Sequence, residues 1–183
     1  MMIKNTFDRF GGLLKLPIRF LRLWALLGCC VLGVVVIMAT GSSIAGFLIA
    51  KPFPGDFEMT EMGVAVAAFM FLPYCQLTFA HVSADIFTSR ASLSVIRSLN
   101  RMGSLMALAF SLLLVWRMYQ GLLDYQIYLE TTTILQIPIW YAFVPAVLSL
   151  LLWSFASLIT LIYPEGTLGS PITEVLKTDD DAV

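Results

Sequence analysis

The chain has 183 residues, of which 59% are hydrophobic and 13% charged, and its formal net charge is −1. Its mean hydropathy is +0.88. A soluble domain of this length leaves about 30% of its unfolded surface in water and needs more polar residues to cover it. The composition therefore excludes a soluble domain, an extended disordered chain, a nucleic-acid binder with a basic face and a disulfide-stapled secreted domain. It predicts an integral membrane protein.

Four charge-poor stretches are long enough to cross a membrane as helices. A helix needs roughly 20 mostly apolar residues to cross a hydrocarbon core of about 30 Å. The stretches occupy about 23–50, 62–80, 102–119 and 139–163. Arg117 lies near the end of the third, where its guanidinium can snorkel to the interface. We predict an all-α integral membrane protein, a single four-helix domain over 1–183, in which 164–183 form a polar cytoplasmic tail.

The distribution of Lys and Arg predicts the orientation of the chain, because basic loops are retained on the cytoplasmic side. Most bases precede the first span or lie between the second and third: Lys4, Arg9, Lys15, Arg19, Arg22, Arg90, Arg97 and Arg101. The other two connections contain Lys51, have Arg117 at an edge, and carry several acids. Both termini are therefore predicted to be cytoplasmic, with two loops outside.

The first 22 residues place apolar side chains at three- and four-residue steps, beside a face of charged ones. This pattern predicts an amphipathic helix in the membrane interface, interrupted or bent near Pro17. The helix either anchors the chain to anionic headgroups or contacts a partner subunit. A signal peptide is the competing interpretation, but the apolar run exceeds an h-region of about 7–15 residues and further spans follow. A retained first helix is therefore favoured.

The sequence offers few groups for catalysis. It contains one histidine, His81, so a bis-histidine haem cannot form within the chain. Cys29, Cys30 and Cys75 lie within spans and lack the Cys-x-x-Cys spacing of thiol oxidoreductases. The sequence contains no glycine-rich phosphate loop, HExxH motif or nucleophile elbow. We expect no enzymatic activity, cofactor or metal site.

A few polar residues near the span ends are candidates for function. His81 and Asp85 share a face if the second helix continues, and form either a helix-end pair or a proton relay or metal site. One His and one Asp are too few ligands for a metal site, so the helix-end pair is favoured. Glu61 suits a solvated helix start, whereas a buried Glu61 would be a candidate coupling site. The candidate partner-contact or structural residues are Glu58, Glu61, Gln76, His81, Asp85, Arg97, Arg101 and Trp140.

Four segments carry a family resemblance: Phe57–Met62, Phe71–Gln76, His81–Ile86 and Thr132–Tyr141. They resemble the small Q-type (DctQ-like) membrane subunit of tripartite ATP-independent periplasmic (TRAP) transporters. Four spans and cytoplasmic termini agree with that family. The resemblance implies a non-catalytic subunit of the bacterial inner membrane. Its implied partners are a large multi-span TRAP membrane subunit, a periplasmic substrate-binding protein and membrane lipids, but no nucleic acid.

The resemblance also implies a function. In such systems the binding protein captures an organic acid, such as a C4-dicarboxylate or sialic acid. The large subunit moves it, usually with sodium, while the small subunit resembles a fixed scaffold. Glu58 and Glu61 would then lie near the periplasmic face, and His81 and Asp85 near the cytoplasmic face. Two alternatives remain open: a membrane anchor of a redox enzyme complex, and a self-sufficient small transporter that uses Glu61 or His81 as a coupling group.

Overall fold

The computed structural model describes residues 2–78 and 93–162, with side chains from residue 16 onward except those of 93, 94, 96 and 97. These residues form four helices: α1 (Met2–Ile49), α2 (Asp56–Leu77), α3 (Leu93–Tyr128) and α4 (Trp140–Ile162). All four are long and apolar enough to cross a membrane. Apart from a bridge between Thr131 and Pro138, the described residues contain no β pairing. The prediction of an all-α protein with four spans is confirmed.

α1, α2 and α3 begin before the charge-poor stretches that they overlap, whereas α4 lies within its own stretch. α3 has 36 residues, beginning nine residues before and ending nine residues after the predicted span of 102–119. Arg101 and Arg117 both lie inside it, because arginine is a good helix former and its charge leaves the backbone hydrogen bonds intact. Arg117, predicted near the end of the third span, is followed by eleven further residues of α3.

α1 joins the amphipathic segment to the first span in one helix of 48 residues, and Pro17 lies inside it. Proline removes one backbone donor, a loss that a long helix tolerates when its other hydrogen bonds are intact. The predicted interruption near Pro17 is therefore absent. The helix ends instead before Ala50, whose φ is 55°, and prolines at positions 52 and 54 follow.

A tight turn positions the start of α2. Gly55 has a φ of +81°, and a Cβ at this position would lie 2.3–2.9 Å from three side-chain carbons of Leu135. In the next residue, Oδ1 of Asp56 accepts a hydrogen bond from the Phe57 amide at 2.7 Å. Asp56 and Glu58 place acidic groups in the first turn, where the helix dipole favours them.

The described residues group into two compact units. The first comprises the described parts of Met1–Leu23, Pro73–Ser111 and Leu152–Val183. Its buried cluster, packed against Leu152, consists of Ile18, Leu21, Leu77, Ala156 and Ile159. These residues belong to α1, α2 and α4, so each of those helices contributes an apolar face to this core.

The second unit comprises Trp24–Leu72 and Leu112–Leu151. α1 and α2 approach closely at Gly63, where a Cβ would lie 2.4 Å from Cγ2 of Val35. Trp24 Nε1 donates a hydrogen bond of 3.0 Å to Ser149 Oγ, which connects α1 with α4. The rings of Tyr125 and Phe143 pack with centroids 4.8 Å apart and connect α3 with α4.

Candidate functional site

The Glu58 carboxylate binds the loop between α3 and α4. Its Oε1 accepts hydrogen bonds from Thr133 Oγ1 at 2.8 Å and from the Ile134 amide at 2.7 Å. Its Oε2 accepts a bond of 3.0 Å from the Leu135 amide. Glu58 is only 8% exposed. Hydrogen bonds to an ionised carboxylate are shorter and stronger than neutral ones, so this single side chain fixes three consecutive loop residues.

The same loop is also closed by its own hydrogen bonds. The Ile139 amide donates to the Glu130 carbonyl at 3.1 Å, and the Thr132 amide to the Ile137 carbonyl at 2.9 Å. The Thr132 hydroxyl accepts a bond of 3.1 Å from the Ile137 amide. Gln136, with a φ of 53°, reverses the chain between these pairs. The loop is therefore an ordered hairpin from 130 to 139.

A second carboxylate positions the loop between α1 and α2. The Ser42 hydroxyl, on α1, donates a hydrogen bond to Oδ2 of Asp56. It also accepts a bond of 3.0 Å from the Phe53 amide. Ser42 is buried although it lies in an apolar helix. One hydroxyl thus connects α1, the loop that follows it and the first residue of α2.

We call residues 50–58 and 130–139 the loop platform, because both loops are bound to the first turn of α2. The carboxylates of Asp56 and Glu58 are hydrogen-bonded within it, whereas several of its other side chains are exposed. Phe57 is 76% exposed, and Phe53, Lys51 and Ile134 are also exposed. The platform therefore presents an ordered surface with apolar and basic side chains that its own fold does not cover.

A buried polar cluster lies in the first unit. The Gln76 side chain, 3% exposed, donates from Nε2 to Thr160 Oγ1 at 3.0 Å. Its Oε1 accepts a bond of 3.3 Å from Trp153 Nε1. Thr160 in turn donates to the Ser157 carbonyl at 3.1 Å. The amide of Gln76 thus uses both its donor and its acceptor to join α2 with α4.

Serines extend this cluster to α3. Ser154 Oγ donates to Ser111 Oγ at 2.9 Å, and Ser111 donates to the Leu108 carbonyl at 2.9 Å. Trp153, Thr160 and these serines were not among the candidates predicted from the sequence. Ser154, Ser157 and Thr160 recur every third residue within an apolar span, and such spacing indicates a polar strip that faces other helices.

The described residues contain no group of three or more His, Cys, Asp or Glu side chains that could bind a metal ion. Cys29, Cys30 and Cys75 are free thiols. The polar groups of the loop platform and the Gln76 cluster are instead mostly paired with loop amides or with one another, although the buried Ser157 hydroxyl has no partner among the described residues. Their arrangement serves to fix loops and helices.

Residues 35–164 match the family described as Tripartite ATP-independent periplasmic transporters, DctQ component. The chain belongs to this family. The matched range contains the whole loop platform and both ends of the polar cluster. No curated protein and no solved structure matches the chain. As a DctQ component with four spanning helices, the chain is a multi-pass protein of the inner membrane and the small subunit of a TRAP transporter.

Three of the candidate residues on α2 occupy different environments in this DctQ component. Glu58 is buried and bonds to the hairpin of residues 130–139. Glu61, less than one turn further along, is exposed. Gln76 is buried in the polar cluster. The sequence could not separate the two glutamates, because their difference depends on a loop more than seventy residues away.

The remaining candidates lie on other elements. Arg101 is exposed on α3, and Trp140 is the half-buried first residue of α4, with its ring centroid 4.3 Å from that of Tyr141. Arg97 lies in α3, but its side chain is not among those described. His81 and Asp85 fall outside the described residues, so their pairing remains a prediction.

Proposed function

We propose that this DctQ component is a fixed scaffold beside the large membrane subunit of a TRAP transporter. The observation that carries the proposal is the loop platform, in which Ser42, Asp56 and Glu58 bind two loops to one helix turn. A scaffold must hold its contact surface in one conformation while its partner moves. Charge-assisted hydrogen bonds to backbone amides restrict a loop in this way.

Exposed apolar side chains on the helices support the same function. Large hydrophobic residues are exposed on all four helices, for example Val34, Ile37, Val64, Phe110, Leu113, Leu151 and Phe155. Lipid covers such faces in a membrane protein, and so do the helices of other subunits. The polar side chains of the Gln76 cluster bind the helices of this chain to one another. Such internal contacts suit a scaffold.

The charge distribution supports an orientation with both termini in the cytoplasm. In that orientation the loop platform faces the periplasm. The exposed Glu61 and Phe57 then contact the substrate-binding protein, while the hydrogen bonds of Glu58 hold the hairpin of residues 130–139 in one conformation. Arg97 and Arg101 lie toward the cytoplasmic face, where His81 and Asp85 form a helix-end pair. Trp140 belongs to the periplasmic aromatic belt.

The transported compounds are organic acids, such as C4-dicarboxylates or sialic acid, and an ion gradient, usually of sodium, drives their uptake. Family membership supports this assignment. The binding protein and the large subunit select and move the substrate, and this chain takes no catalytic part. Selectivity therefore belongs to residues in those other chains.

Reconstitution tests the scaffold function directly. Proteoliposomes receive the large subunit, the binding protein and a sodium gradient, with or without this chain, and uptake of a radiolabelled organic acid is measured. We expect uptake only when all three proteins are present. Full-rate uptake without this chain would contradict the scaffold. Uptake by this chain alone, lost in Glu61→Gln, would instead identify a small transporter, and haem or quinone absorption would identify a redox anchor.

Cysteine labelling tests the orientation. Single cysteines at Gln126 and Ser98, both exposed on α3, are introduced after the native Cys29, Cys30 and Cys75 are replaced by alanine. A membrane-impermeant maleimide applied to spheroplasts should label position 126 and reach position 98 only after permeabilisation. The reverse pattern would overturn the orientation. Gly55 is unsuitable as a probe position, because any Cβ there collides with Leu135.

A further inference from the structure

The exposed face of α3 carries a charged side chain, that of Arg117, within the membrane span. A helix face that contacts lipid usually carries no charge. Arg117 lies in the candidate membrane span Ser98–Tyr128 and its side chain is exposed. Among the described residues, no acidic side chain pairs with it. Charged residues within membrane spans are rare and are almost always paired, because leaving them in hydrocarbon is costly. The partner of Arg117 therefore has to come from outside the described chain.

The packing of α3 against α4 indicates how deep Arg117 lies. Gly121 packs against the ring of Phe143, which is three residues after the start of α4 at Trp140. Arg117 is four residues before Gly121 on the antiparallel helix. At about 1.5 Å per residue, Arg117 lies about 10 Å below the level of Trp140. α4 is about 34 Å long by the same measure, so this depth is within the hydrocarbon core.

The direction of the side chain argues against a lipid headgroup as the partner. In an α-helix the Cα–Cβ bond points toward the N-terminus of the helix. For Arg117 that direction leads away from the near end of α3 at Tyr128, toward Leu113 and Phe110. Both of those side chains are more than half exposed and apolar. The Arg117 side chain therefore leaves the backbone in the direction of the membrane interior, away from the nearer headgroups.

Arg117 also belongs to a row that has the spacing of a helix-packing seam. The exposed residues Leu113, Arg117, Gln120, Asp124 and Ile127 follow one another at intervals of four, three, four and three. This alternation keeps a row of side chains facing one neighbouring helix. Asp124 cannot neutralise Arg117, because it lies about 10 Å further along the axis, on the side opposite to the direction of the arginine side chain.

We propose that the α3 face from Leu113 to Ile127 packs against one transmembrane helix of the large subunit, and that an acidic side chain of that helix pairs with Arg117. A hydrogen-bond donor of the same helix meets Asp124 about two turns away. The inference rests on the scaffold function proposed above. It names the contact by which the scaffold binds the large subunit. Charge complementarity within the membrane gives the contact its register.

Crosslinking tests the position of this contact. In the complex with the large subunit, single cysteines replace Leu113 and its neighbour Leu112, which are exposed to nearly the same extent, 57% and 54%. They differ by about 100° around the helix. With a short bismaleimide and cysteines scanned along the large subunit, we expect crosslinks from position 113 and not from 112. Equal crosslinking, or none from 113, would overturn the contact.

Charge variants test the pair itself. We expect Arg117→Leu to weaken association with the large subunit about tenfold, Arg117→Lys to weaken it less, and Arg117→Glu to weaken it most. Each variant is first shown by circular dichroism to keep its helices. Reversal of one acidic residue in the large subunit should restore binding of Arg117→Glu. Unchanged association of Arg117→Leu, or a loss that follows anionic lipid content alone, would identify lipid as the partner and overturn the pair.

The wild-type complex separates this inference from the scaffold function. If wild-type chains associate and transport while Arg117→Leu behaves identically, only the inference fails. If wild-type chains do not associate with the large subunit, the scaffold function fails and the inference fails with it. Both outcomes are read in the same co-purification and uptake measurements.

Discussion

The loop platform and the polar cluster stabilise this protein with different chemistry. The platform uses the carboxylates of Asp56 and Glu58, which accept hydrogen bonds from backbone amides and hydroxyls. The cluster around Gln76 uses neutral amide, indole and hydroxyl groups. A carboxylate keeps its charge where backbone amides and a helix N-terminus surround it. Neutral groups suit a helix interface within a span, since they can be paired without burying a charge.

The largest local effect, on the backbone of the hairpin of residues 130–139, is expected from Glu58→Gln. Glutamine retains only one acceptor oxygen, and its NH₂ group then faces an amide donor of Ile134 or Leu135. Hydrogen exchange of these two amides should accelerate about tenfold or more, since each loses a charge-assisted partner. Mass spectrometry of the deuterated protein measures this. Glu61→Gln is the matched control and should leave the exchange unchanged. An equal response in both variants would contradict the assigned role of Glu58.

Gly55→Ala tests the loop between α1 and α2, the other loop of the platform. Alanine at a φ of +81° is strained, and its Cβ would collide with Leu135. We expect a loss of about 1–3 kcal/mol in the free energy of unfolding. Thermal unfolding in detergent measures this loss. Gly33→Ala is the control, because a Cβ there meets nothing within 4 Å. If both glycines tolerate alanine equally, the tight turn before α2 is not needed.

Gln76→Leu tests the polar cluster. The substitution removes the partner of Trp153 Nε1 and of Thr160 Oγ1, while leucine keeps similar volume. We expect a loss of about 1 kcal/mol, smaller than for a broken charged contact. The tryptophan emission spectrum should also shift, because the indole Nε1 of Trp153 loses the acceptor that Gln76 supplies. Gln126→Leu, at an exposed position, is the control. Full stability of Gln76→Leu would show that the amide is dispensable.

The smallest effect is expected when two serines of α3 are replaced by alanine. The two replacements should change the free energy of unfolding in different directions. Ser111 bonds to Ser154, whereas the Ser104 hydroxyl is buried without a partner among the described residues. Ser111→Ala should cost about 0.5 kcal/mol. Ser104→Ala should be neutral or stabilising, because it removes an unsatisfied buried hydroxyl. Parallel thermal unfolding compares the two, and equal losses would contradict the distinction.

The number of spans and the helical class followed directly from the sequence, because a bilayer demands long apolar stretches. The helix ends did not follow, since the charge-poor stretches begin or end near charges such as Glu61 and Arg101, which a helix accommodates. Gly55 marks the start of α2 through a positive φ that composition does not reveal. Pro17 was expected to interrupt or bend a helix that continues through it.

The site was predictable by residue type but not by role. Glu58 and Glu61 stand three positions apart and look equivalent in the sequence, yet only Glu58 meets the amides of Ile134 and Leu135. Gln76 was singled out for its polarity, while its partners Trp153 and Thr160 were not. Both cases depend on contacts across more than seventy residues of chain, which local patterns do not encode.

The Glu58 contact also sets an order for biogenesis. Thr133 follows Glu58 by 75 residues, so at about 5–20 residues per second the ribosome makes it several seconds later. Until then the loop groups that bind this carboxylate in the folded protein do not exist. The first turn of α2 is therefore synthesised before the hairpin of residues 130–139 that binds it, because this hairpin lies between α3 and α4. Insertion of that helix pair is the event that completes the surface.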